Sequence, residues 1–204
     1  MDLTEQLQGL NLESNAIAYA IVAIALMLIF FINRRRLTTR WRDWRIERCL
    51  KRIGSEQIRN LVCADGLDGH YQIDRLALTR DAILLISYKP FDGNIYCAER
   101  ISEWTQVIEQ KSFKFENPLF ELDNQITALK LLLDKTPLRG YLFFNQSARF
   151  PKGHPDAILQ PDSIPEQLLA ENCEPINADI LNAWKLLKTH QNEATSGDRI
   201  SVKT

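Results

Sequence analysis

Four cysteines in 204 residues are too few, and too widely spaced, to staple a small fold. Cys49, Cys63, Cys97 and Cys173 form no Cys-x-x-Cys pair and have no histidine at zinc-ligand spacing, which excludes the common zinc modules. The three histidines (His70, His154 and His190) belong to no motif. Internal repeats and low-complexity tracts are missing, and with 45% apolar residues the chain is not a disordered one. Lysine and arginine are absent from the first 32 residues, the reverse of the basic start of a cleaved signal peptide. The length suits one domain with an appendage and excludes a large multidomain enzyme.

What is present is unevenly placed. Ala16 to Ile32 reads AIAYAIVAIALMLIFFI, 17 uncharged residues of which only Tyr19 carries a polar side-chain atom. As a helix it reaches roughly 25 Å, close to the ~30 Å hydrocarbon core, and Arg34 to Arg36 can snorkel to make up the rest. A buried core helix is the competing reading, and it needs a protein shell on all sides. The spacing therefore predicts a transmembrane helix over 16–32 with an extracytoplasmic tail over 1–15. From Asn33 to Arg52 nine basic residues meet two acids, a net of +7 after −3 in the first 32 residues, which leaves −5 for the remainder. Positive charge marks the inner flank, so everything beyond Asn33 is expected in the cytoplasm, with the chain single-pass in the inner membrane. Segment 33–53 reads as a juxtamembrane helix with Trp41 and Trp44 at the headgroups. It would be drawn to anionic lipid by ~1 kcal/mol per basic residue. Nucleic acid, DNA or RNA, is the second partner such a run can serve.

The rest, 54–190, reads as a mixed α/β domain, followed by a polar, loose tail over 191–204. Tyr71–Leu78 and Ile83–Tyr88 predict a hairpin, and Asn94–Ala98 predicts a further strand. A second hairpin is expected over Trp104–Phe115. Asn117-Pro118 opens a helix with a Leu/Ile stripe from Leu119 to Leu133, which reads as core together with Trp104. Strands are expected at Leu138–Asn145 and Ala157–Leu159, and helices at 166–171 and 178–189. With the first turn centred on Asp81 and Ala82, Asp74 faces Lys89, and Ser87 shares their side of the sheet. That set is either a cross-strand ion pair or half of a metal-dependent phosphodiesterase site. A carboxylate there could hold Mg²⁺ and a lysine could steady charge.

The ordered run QIDRLALTRDAILLISYKPFDGNIY, Trp104-Thr105 and FENPL at 115–119 resembles the nuclease-related domain (NERD) family. The resemblance spans roughly residues 54–169 and implies a restriction-endonuclease-like mixed sheet flanked by helices. It implies that Glu56 is the acid opening the first helix, Asp74 the metal-binding aspartate, and Lys89 the lysine of a Glu-x-Lys motif. Ser87 stands where that motif places glutamate, and Glu121 where a glutamine is expected. The resemblance therefore leaves three outcomes for catalytic Glu56, Asp74, Ser87 and Lys89. The site is dead, or it holds Mg²⁺ weakly through Glu56, Asp74 and the Tyr88 carbonyl, or Glu121 supplies the missing acid. The function implied is a membrane-anchored, Mg-dependent nuclease, active or degenerate. The alternatives are a non-catalytic membrane-tethered module binding nucleic acid or protein, or a lipid-bound structural protein.

Overall fold

The computed structural model describes residues 19, 22–28, 30, 41–64 and 69–201. The chain divides into two compact units, one ending at Glu47 and one starting at Arg48. In the first, residues 22–28 are helical, and Val22, Ile24, Leu26, Met27 and Leu28 are each more than half exposed. The expected tail 1–15 and much of the expected span 16–32 lie outside the described residues. Among those described, no helix is long and apolar enough to cross a membrane. The expected basic helix is seen over 41–50, where the exposed Trp41 and Trp44 rings meet edge to face at 5.9 Å.

The second unit is a mixed α/β domain. Its strands are β1 (Glu56–Ala64), β2 (His70–Leu78), β3 (Ile83–Lys89), β4 (Gly93–Tyr96), β5 (Glu103–Ile108), β6 (Lys111–Glu116), β7 (Leu138–Phe144), β8 (Ala148–Arg149) and β9 (Ile158–Leu159). Two α-helices accompany them, α1 (Pro118–Leu132) and α2 (Ala178–Ser201), and the helix expected at 166–171 is two short 3-10 turns, Glu166–Leu168 and Ala170–Asn172. One sheet has the order β1-β2-β3-β7-β9 and the other β6-β5-β4-β8. β3, β7 and β9 run parallel; the β1-β2-β3 and β4-β5-β6 meanders are antiparallel.

Three expectations are corrected. Glu56 does not open a helix. Gly54, at φ +71, ends the preceding helical stretch, and Ser55 N–H bonds the Leu78 carbonyl, so the chain turns directly into a strand. Buried Ile58, Leu61 and Cys63 then anchor β1. The second correction is register. Leu76 pairs with Leu85, not Ser87, because Thr79 bonds the Ala82 carbonyl through both its amide and its hydroxyl. That contact buries Ala82 and leaves Arg80 and Asp81 as the exposed turn tip. The slip is two residues, an even number, so side chains keep their faces. Third, the last helix, expected to end at Thr189, runs on to Ser201, and Gln191 Nε2 donates to the Arg59 carbonyl at 2.9 Å.

The core joins Leu76, Leu78, Ile83, Leu85 and Phe144 of the large sheet to the α1 stripe, Trp104, and Trp184 of α2. Helix α1 lies directly on β7 at Gly140, where a Cβ would sit 2.6 Å from Ile126 Cδ1 and 2.8 Å from Leu122 Cγ. The two sheets meet where β3 runs on to β4 and β7 to β8. Asn145, 1% exposed, donates to Asp92 Oδ1 at 2.9 Å and accepts from the amides of Ser147 and Ala148. Ser147 Oγ also donates to Asp92, Gln106 Nε2 donates to the Asp92 carbonyl, and Gln160 Nε2 donates to the carbonyls of Asn145 and Ala148. The polar groups of this seam partner one another, as burial requires.

Candidate active site

Asp74, Ser87 and Lys89 lie at one end of the large sheet. The observed ladder closes at Arg75–Ile86; continuing it sets Asp74 level with Ser87 and Lys89 level with Gln72. Ser87 is buried, Asp74 exposed, and the Lys89 side chain 18% exposed.

The fourth residue arrives from α1. Asn117 caps that helix by accepting the Leu119 amide at 3.0 Å, and Pro118 fits the first turn. The same Asn117 side chain donates to the carbonyls of Glu99 and Ile101, at 2.9 and 2.8 Å, which pins the helix start to the 99–101 loop. Glu121 falls in the first turn, where the helix dipole favours an anion. Its Oε2 accepts from Lys89 Nζ at 2.8 Å. Glu121 and Lys89 are 32 residues apart in sequence, yet they are the two site residues that meet by direct contact.

Gln125 was not singled out in the sequence. It lies one turn beyond Glu121 and is 5% exposed. Its Nε2 donates to Glu121 Oε1 at 3.4 Å and to the Gln72 carbonyl at 3.3 Å. It thus ties helix to strand and braces the second carboxylate oxygen. The available signal was a polar residue on the apolar stripe, four places after a candidate acid.

Glu56 stays apart. It pairs with Leu78, four residues along β2 from Asp74, roughly 13 Å at ~3.3 Å per residue. Its carboxylate accepts from Trp184 Nε1 at 2.8 Å and from Lys188 Nζ. Those bonds, Lys188 first, hold its pKa below the ordinary glutamate value. Tyr88, whose carbonyl was a candidate ligand, is paired in the sheet with Phe143. Among the described residues no three Asp, Glu, His or Cys side chains cluster as a metal site. A cleft of about 630 Å³ opens beside Lys89 and Glu121, with Tyr71 and Asn117 among its walls.

The Lys89 ammonium, bonded to the Glu121 carboxylate, thus sits at the end of β3 beside the cleft. A family model of the nuclease-related domain, NERD, matches residues 41–145, just over half the chain, from the basic helix through β7. The chain belongs to that family. It is also 22% identical over 124 residues to an uncharacterized Bacillus anthracis protein, a match covering 57% of this chain and 58% of that one. No solved structure matches it significantly.

Proposed function

We propose that this chain is a membrane-anchored, cytoplasm-facing nuclease acting on nucleic-acid phosphodiesters, with Asp74, Lys89 and Glu121 as its working residues. The observation that carries this reading is the 2.8 Å Lys89–Glu121 bond. It supplies, from a helix, an acid beside the lysine at a sheet end where Ser87 offers none. Lys89 Nζ, given up by Glu121, donates to the phosphate oxygens as charge develops there. Gln125 keeps the Glu121 carboxylate oriented.

Asp74 and Glu121 are the carboxylates that would hold Mg²⁺ in this reading, since such ions are commonly held by one or two carboxylates plus substrate phosphate. When bound it polarises the phosphate and activates water. Glu56 has no part in this reading, being engaged by Trp184 and Lys188. Support for the anchor comes from the exposed apolar side chains of 22–28 and the +7 run behind them. With these, the chain sits single-pass in the inner membrane, bound to anionic lipid.

The test is cleavage of single- and double-stranded DNA and RNA by the full chain in detergent, with Mg²⁺ or Mn²⁺. Activity lost in Asp74→Ala, Lys89→Ala and Glu121→Gln and kept in Glu56→Gln is expected. Activity that survives Asp74→Ala removes this site from the mechanism. Ser87 and the −5 balance of residues 53–204 favour a second reading, a non-catalytic binding module. An inert natural protein that gains activity through Ser87→Glu would establish it. Carbonate extraction tests the anchor: release of the full chain from membranes refutes it.

A further inference from the structure

We infer that the cleft beside Lys89 seats an unstacked nucleobase, so that the chain takes single-stranded nucleic acid in preference to duplex. This rests on the nuclease reading and names its substrate. The cleft, about 630 Å³, has room for a base and its sugar. Among its walls are the half-buried rings of Phe91 and Phe115, stacked at 4.4 Å and 21°. Phe120, 46% exposed, also lines it. The exposed Phe120 ring, beside a phosphate-handling lysine, is what a flat base stacks on, with the Phe91–Phe115 pair as the apolar wall.

The charged lining decides what else the occupant carries. Glu103, Glu116 and Glu121 line it with one ammonium, Lys89; Lys114 pairs with Glu103 at 3.1 Å and Lys89 with Glu121, which leaves Glu116 as the lining carboxylate outside those two ion pairs. A phosphate lying against Glu116 would be repelled. A base would not, because its amino groups and ring N–H are donors that carboxylates accept. The base enters the cleft while its phosphate stays outside the carboxylates and meets Lys89. A base inside a duplex must first be unpaired and unstacked, and the second strand would bring more phosphate to the rim. The same logic ranks the bases: adenine, cytosine and guanine offer amino donors, thymine and uracil do not.

The experiment is fluorescence anisotropy of labelled homopolymer single strands and a hairpin duplex, titrated with the full chain in detergent and metal-free buffer. Single strands should bind more tightly than duplex, with oligo-dT weakest. Phe120→Ala should weaken single-strand binding about 5- to 100-fold, as expected for losing one stacked base. Glu116→Gln, away from the core, should narrow the gap between oligo-dT and the others. Wild-type protein that cleaves nucleic acid but binds duplex as well as single strands, or is indifferent to Phe120→Ala, overturns this inference and leaves the nuclease reading standing. Wild-type protein that neither binds nor cleaves any nucleic acid overturns both. Glu116-dependent binding of an arginine-rich peptide with no single-strand binding overturns it in favour of a protein ligand.

Discussion

Adding a single methyl group at Gly140 tests whether the helix that carries Glu121 is set by its contact with β7. A Cβ there falls 0.8 Å inside the 3.4 Å floor of ordinary contact with Ile126 Cδ1, and 0.6 Å inside it with Leu122 Cγ. The Ile126 methyl is a side-chain end and can rotate away; Leu122 Cγ is a branch point on a 2%-exposed residue and cannot do so freely. Gly140→Ala therefore pushes α1 outward by a few tenths of an ångström. Overpacking of this kind costs about 1–3 kcal/mol, which for a chain of this size lowers Tm by roughly 2–12 °C. The same displacement lengthens the 2.8 Å Lys89–Glu121 bond. The decisive assay is a double-mutant cycle with Leu122→Ala, itself worth about 2–5 kcal/mol as a cavity. The added methyl fills part of that cavity, so the double variant should be destabilised by less than the sum of the single ones. A neutral Gly140→Ala, or strict additivity, refutes the account of α1 resting on β7.

Gly54→Ala should cost about 1–3 kcal/mol of stability, read as a lower urea midpoint, because its φ of +71 is strained for any L side chain and a Cβ would lie 2.7 Å from the Leu78 carbonyl oxygen. Glu121→Gln should change stability by under ~1 kcal/mol, since that carboxylate is half exposed, while abolishing cleavage; a large stability loss would mean the pair is architectural. Glu56, with its folded pKa lowered by Lys188 and Trp184, adds stability present above its unfolded value and lost as pH falls through the folded one. Denaturation followed against pH should therefore weaken on the acid side, below about 4.5, and Glu56→Gln should make that decline shallower. Burial pushes the thiols of Cys63 and Cys97 up to about 11, so neither should react readily with maleimide at pH 7 until the protein unfolds.

The β2–β3 hairpin and α1 were legible because each rests on local signals: alternating apolar residues in one, Asn-Pro and a leucine stripe in the other. The first register was misjudged by two because the turn is set by Thr79 bonding Ala82, a choice that depends on Ala82 being buried. β1 was missed for a different reason. Its apolar residues do not alternate cleanly; Ile58, Leu61 and Cys63 are buried, with the break at Asn60, whose φ is +51. No period-2 pattern survives such a kink. At the site, an even slip leaves the parity expected for Asp74, Ser87 and Lys89 unchanged, and the paired ladder ends at Arg75–Ile86, one residue short of Asp74. Glu121 was nameable as a nearby acid, whereas its bond to Lys89 depends on how α1 docks. Gln125 and the Trp184–Lys188 capture of Glu56 join parts of the chain 53 and more residues apart, beyond the reach of local pattern.

The seam of Asp92, Asn145 and Ser147 limits how this molecule can move. Two strands cross from one sheet to the other side by side, and the side chains at the crossing are hydrogen-bonded to each other and to the backbone on both sides. A crossing stitched in this way is a weld and not a hinge: bending it would strand several buried donors and acceptors at once. The two sheets are therefore expected to move together. Widening of the cleft beside Lys89 must come from its other wall, the start of α1 and the 99–101 loop fastened to it through Asn117. One amide side chain then governs the remaining degree of freedom.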